Sequence, residues 1–441
     1  MRHSLLSNEH NERESQREIR MSDKSDKSFL PYLFFLLGMS TWFAFSTISS
    51  QAPVFTSCSD DAEDNNTDCE KYVLPEGLEF SSYINVASQL GNLLPLMYKI
   101  SDKSESLRRA YLTTFISLTL GTISLIVAAF AWDITTYLGG DLGHKSVILL
   151  FCTFVCGATG CLHSVLFWRI ASSFSVRCVR MQSIGSACGG VFPMIVALLQ
   201  LDDPRLTFIL AAVAQTFFIF AFFRIFREFS SSHHHHHHHH HTSSILNKCE
   251  NNNAQDEEQN NNAQDEEEHK INTEISIMYS IGFILYLCAY SIPSFIPLMT
   301  SAYTFSKRLY TLINVSYTCG DVVGRVLTSL ECLSRPPRIR TLIYLTLFAF
   351  AVYGVLMFSA CATDSIERVI LPGEVSNILI AVFFMFYCAR GFVVTSMYVS
   401  IRVMSPSSET SSFRSGRLGY LAQLGAAIGA VGSFLILNFC S

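Results

Sequence analysis

Apolar runs of about 20 residues alternate with short polar stretches along nearly the whole chain. A run of that length matches the ~30 Å hydrocarbon core of a bilayer at 1.5 Å per helical residue. The pattern predicts spans over 29–50, 81–99, 111–132, 146–168, 179–200, 206–226, 274–298, 309–332, 341–361, 376–400 and 417–439. The expected fold class is therefore an all-α polytopic membrane protein with about 11 transmembrane helices. One long polar stretch, 228–273, divides the series into helices 1–6 (29–227) and helices 7–11 (274–441). It holds the histidine run His233–His241 and the near-repeat Asn251–Gln259 and Asn260–Glu268, in which no apolar residue is larger than Ala. So little apolar surface does not offset the entropy of ordering, and a long disordered cytosolic loop between two bundles, 6 + 5, is expected.

Composition changes the picture in one respect. A chain of 441 residues suggests two or three soluble domains, but 49% hydrophobic and 15% charged residues, with the charges clustered, exclude that reading. Net charge of −5 comes largely from two polar loops, and no basic cluster points to nucleic acid. No Walker, HExxH or GxSxG arrangement stands in a catalytic context, and no soluble part is large enough for a catalytic domain, so the chain does not read as an enzyme. No cofactor or metal is expected; the His tract reads as low-complexity sequence.

Basic residues set the orientation. With the N-terminus inside, the cytosolic loops hold Lys99, Lys103, Arg108 and Arg109, then Arg169, Arg177 and Arg180, and further clusters at Arg335–Arg340 and Arg402–Arg417. The opposite loops hold only Lys71, Lys145, Arg205, Lys307, Arg308 and Arg368. The tail 1–28 is thereby cytosolic, with no apolar signal-peptide core, and the C-terminus extracellular. The loop 51–80 falls outside, and it alone combines Cys58 and Cys69 with the sequon at Asn65, so a disulfide and a glycan are expected there.

Ionisable residues inside a membrane are costly and mark functional sites by default. Asp321 and Arg325 are four apart and share a helical face, with Gly320 and Gly324 allowing close helix approach. This is either a structural ion pair that fixes two helices or a gate or substrate contact. Arg390, near the middle of the tenth span, lacks an acid in its own span and needs a partner from another helix, water or a ligand. Gln89 and Asn92 precede Pro95, and Gly185–Gly190 precedes Pro193, so both spans are expected to weaken there. His163 reads as hydrogen-bonded within the bundle. Helices interrupted by Gly and Pro, with buried amides and a few buried charges, are what a secondary transporter needs.

The segment Leu74-Pro-Glu-Gly-Leu-Glu-Phe-Ser-Ser-Tyr83, running into Gln89-Leu-Gly-Asn92-Leu-Leu-Pro95, resembles the LPEGW…PSY…QxxN…P signature of the eukaryotic riboflavin transporter family. Gly38-Met-Ser-Thr-Trp42, Ala129-Phe-Ala-Trp132, Cys161-Leu-His-Ser164-Val-Leu-Phe167, Gly189-Gly-Val-Phe-Pro193 and Gln423-Leu-Gly-Ala-Ala-Ile-Gly429 resemble further motifs, in order, with the first half stronger than the second. The resemblance implies a divergent member of that family, solute carrier family 52, mediating sodium-independent uptake of riboflavin across the plasma membrane. It places Trp42, Ser46, Gln51, Asn92, Ser164 and Phe167 near a central cavity, with Gln89 beside them. Departures stand at Ser46, where the family has asparagine, and at Gln51 and Ser186, where it has glutamate. The alternative is an equilibrative nucleoside transporter, whose D-x-x-G-R pattern is close to Asp321-Val-Val-Gly324-Arg325; a second is a non-transporting membrane receptor. Alternating access of helices 1–6 against the later bundle is the expected mechanism, with the substrate and the lipid bilayer as the expected partners.

Overall fold

The computed structural model describes residues 29–51, 55, 74–75, 79–101, 107–139, 144–198, 203–237, 254–301, 306–330, 337–361 and 374–440. Among them are thirteen helices: α1 (Leu30–Ser50), α2 (Glu79–Leu90), α3 (Leu93–Ser101), α4 (Leu107–Ala131), α5 (Val147–Ala171), α6 (Val176–Cys188), α7 (Val191–Leu198), α8 (Pro204–His237), α9 (Ala254–Ser301), α10 (Ser306–Leu327), α11 (Ile339–Cys361), α12 (Glu374–Met404) and α13 (Ser408–Cys440). A short antiparallel ribbon, β1 (Thr136–Tyr137) and β2 (His144–Lys145), joins α4 to α5, pairing Thr136 with Lys145. The tail 1–28 and Cys58, Asn65 and Cys69 lie outside the described residues.

Among the described residues, seven helical stretches are long and apolar enough to cross a membrane: Leu30–Ser50, Leu107–Ala131, Val147–Ala171, Pro204–Glu228, Glu266–Pro293, Ile339–Met357 and Asn377–Met404. The others differ for visible reasons. The second and fifth predicted spans are each broken in two, α2/α3 at Gly91-Asn92 and α6/α7 at Gly189-Gly190. Proline four residues on explains both breaks: Pro95 and Pro193 lack an N–H, and their rings clash with the carbonyls of Gly91 and Gly189. The helix α10 carries Asp321 and Arg325 within its apolar stretch, whereas α13 carries Glu409, Arg414 and Arg417 only in its first ten residues, ahead of an uncharged stretch from Leu418.

The outer surface is apolar, as contact with lipid requires. Leu112, Ile116, Leu120, Ile123 and Phe130 are exposed along α4, and Tyr344, Leu347 and Phe350 along α11. The interior is close-packed at glycines. A Cβ on Gly185 would fall on the Phe35 carbonyl oxygen of α1, and one on Gly324 on the Cys388 carbonyl of α12. Only glycine permits backbones to approach so closely. These seams pack α1 on α6 and α10 on α12, while α9 packs on α13. Between the two sets, α5 meets α13, and α6 meets α10 and α12.

The segment expected to be disordered is helical at both edges. Helix α8 runs on to His237, and α9 begins at Ala254, inside the polar repeat. Bulk apolar content does not decide this stretch: Ala, Gln and Glu are good helix formers, and here they continue a helix already nucleated by the apolar span. Residues 238–253 lie outside the described set.

Candidate substrate site

Where α6 meets α10 and α12, three charges are buried together. Asp321 is 8% exposed, Arg325 4% and Arg390 7%. The helical repeat puts Arg325 one turn below Asp321, so that Nε donates to Oδ2 at 3.0 Å and Nη2 lies 2.7 Å from the same oxygen. Gly391 lets α12 come close enough for Arg390 Nη1 to reach Asp321 Oδ1 at 3.1 Å. The partner that Arg390 requires is thus Asp321, shared with Arg325.

One carboxylate between two guanidiniums leaves an excess positive charge, and burial makes that expensive unless other groups accept it. Arg325 Nη1 donates to the Ser183 carbonyl at 3.1 Å, to Ser183 Oγ at 3.3 Å and to Ser186 Oγ at 2.7 Å. Arg390 instead sits among aromatic rings, 4.9 Å from the centroid of Tyr286, 5.7 Å from Tyr387 and 5.9 Å from Tyr290. Their negative faces stabilise the cation where no second carboxylate is present. Tyr387 is fixed by donating to the Ala289 carbonyl at 3.0 Å.

The residues singled out in the first half do not all converge. Trp42 is half-buried, lies over Gly160 of α5 and stands 6.0 Å from Tyr290 of α9, so it reaches the junction. Ser46 is half-buried near Gly190, at the break between α6 and α7. Asn92 Nδ2 donates to Gln89 Oε1 at 2.8 Å, while Asn92 Oδ1 is buried without a partner among the described residues. Gln51 is 2% exposed and its Oε1 also lacks a partner among the described residues. Ser164 donates to the Gly160 carbonyl of its own helix. Phe167 is fully buried and stacks on His163 at 4.5 Å, inside the first bundle rather than on an open face. His163 is bonded to Ser117 Oγ at 2.7 Å, tying α5 to α4.

Tyr286, Tyr290 and Tyr387 were not singled out from sequence. A usable signal existed: Tyr286 and Tyr290 are one turn apart in an apolar span, and Tyr387 is three residues before Arg390.

The arrangement is that of a helical bundle with several apolar helices and a buried charge cluster at a helix junction. Its fold is similar to that of the major facilitator superfamily proton:xylose symporter XylE bound to 6-bromo-6-deoxy-D-glucose, with a TM-score of 0.54 at 14% identity over 93% of this chain and 89% of that one. Residues 26–202 match the family model "Solute carrier family 52, riboflavin transporter". Two similar proteins are solute carrier family 52, riboflavin transporter, member 3-A of Danio rerio, 31% identical over 29% of this chain and 28% of that one, and member 3 of Homo sapiens, 31% identical over 29% and 27%. Riboflavin transporter 2 of Salmo salar is 25% identical over 37% of this chain and 32% of its own. The chain thus spans less than a third of the length of these relatives in the matched part, and over that part it is similar to solute carrier family 52.

Proposed function

We propose that the protein takes up riboflavin across the plasma membrane, independently of sodium, by alternating access of two bundles of six and five spans. In this reading the N-terminus is cytosolic and the C-terminus extracellular, with a Cys58–Cys69 disulfide and a glycan at Asn65. The observation that carries it is the family match over 26–202, which includes the Leu74-to-Pro95 block. The aromatic junction supports it chemically. Isoalloxazine is large, flat and amphipathic, and Trp42 offers a face for stacking beside Tyr290. The nucleoside reading is not favoured: its main motif, Asp321 to Arg325, has a sufficient role in joining α6, α10 and α12.

The test is uptake of radiolabelled riboflavin and uridine by cells expressing the chain, with sodium present or replaced by choline. Riboflavin accumulation in both media, without uridine accumulation and lost in Trp42→Ala, is the expected result. Uridine uptake without riboflavin uptake would overturn it, and neither substrate entering despite surface expression would return the chain to the receptor class.

A further inference from the structure

The family match ends at residue 202, yet the face of Trp42 is completed from the other half of the chain. Tyr290 stands 6.0 Å from the indole, and Tyr286 stacks behind Tyr290 at 5.8 Å and 19°. Tyr286 and Tyr387 are buried, whereas Trp42 and Tyr290 are only half-buried. Partial exposure of two neighbouring rings leaves aromatic surface accessible at the junction, unlike the buried rings behind them. Next to it is Arg390, more than nine-tenths buried. Its Nη1 is committed to Asp321, but its Nε–H has no acceptor among the described residues. A buried donor left unmade costs the full desolvation of the group, so the position calls for an acceptor that arrives from outside.

The geometry points to a substrate subsite in the second half of the chain: Arg390 donates from Nε to an acceptor on the edge of a flat conjugated ring that rests against Tyr290 and Trp42. The ligand class is a planar heteroaromatic with carbonyl or ring-nitrogen acceptors along one edge. The pyrimidine edge of isoalloxazine has that chemistry, so the inference rests on the riboflavin reading and assigns ring recognition within it. Arginine rather than lysine matters, because the planar fork serves Asp321 and the ring edge from different nitrogens.

The test measures riboflavin uptake kinetics, with lumiflavin, which keeps the ring but lacks the ribityl chain, as competitor, and surface abundance by biotinylation. Arg390→Lys keeps the charge facing Asp321 but loses the fork; it should raise the riboflavin KM and the lumiflavin Ki together, each about tenfold, the scale of one charged hydrogen bond. Tyr290→Leu should raise both several-fold, and Tyr290→Phe should restore them, a rescue that a merely structural role does not predict. Should Arg390→Lys fail to reach the surface, the Tyr290 pair decides. Unchanged KM and Ki in Tyr290→Leu, with only Vmax tracking abundance, would overturn the subsite while leaving riboflavin transport standing. A wild-type protein that carries no riboflavin would overturn both.

Discussion

At the residue scale, the buried charges were half legible. The four-residue spacing of Asp321 and Arg325 is a fact of the sequence, and one turn of helix makes it an ion pair. That Arg390 would share the same carboxylate depends on how α10 and α12 cross, which no local pattern encodes. Nor does the spacing of α9 and α12 announce a tyrosine cluster around a cation. Asp321→Asn leaves two buried guanidiniums facing each other and should destabilise by about 3–5 kcal/mol, the cost of breaking a buried pair; thermal unfolding of purified protein in detergent reads it. Ser186 Oγ lies 2.7 Å from Arg325 Nη1. A glutamate at that position would deliver a carboxylate to the same nitrogen. Adding Ser186→Glu to Asp321→Asn should therefore recover part of the lost melting temperature, and a double variant no more stable than the single one would show that Ser186 does not compensate Arg325.

Elements were legible where sterics act locally. Pro95 and Pro193 mark their own helix breaks four residues upstream, and glycine-rich stretches mark seams. Which seam belongs to which partner was not readable, because Gly185 meets Phe35 across more than a hundred residues of chain. Gly185→Ala would press its methyl group into that backbone carbonyl, and α1 has no side chain to move aside. The expected loss is about 1–3 kcal/mol, as for other overpacked sites. Gly354→Ala on α11 meets nothing within 4 Å and should be neutral or stabilising by the helix propensity of alanine. Equal behaviour of the two in thermal unfolding would remove the seam as the reason for Gly185. The polar repeat shows the opposite failure: composition suggested disorder, whereas the propensity of Ala, Gln and Glu extended a neighbouring helix from Ala254.

For the whole molecule, the polar contacts between the two halves gather at one end, near the turns 171–176 and 404–408. Ser172 Oγ donates to Ser415 Oγ at 2.6 Å, Arg402 Nε donates to the Phe174 carbonyl at 2.7 Å, and Trp168 stacks on Tyr398 at 3.8 Å. One turn further in, Ser183 bonds to Thr395 and takes Arg325. With the proposed orientation these contacts close the cytosolic side, so alternating access requires them to part in each cycle. Each is modest: a neutral hydrogen bond contributes about 0.5–1.5 kcal/mol and one from a guanidinium about 1.5–3 kcal/mol, a scale at which two arrangements of one fold can exchange. Locking them should stop the cycle without harming the fold. Ser172→Cys with Ser415→Cys, oxidised in proteoliposomes, places two sulfurs where two hydroxyls already touch, within disulfide reach. Riboflavin flux should fall to background on oxidation and return on reduction, while each single cysteine variant transports throughout. Undiminished flux through the cross-linked protein would mean that the halves do not separate at this end, and the substrate would need another exit.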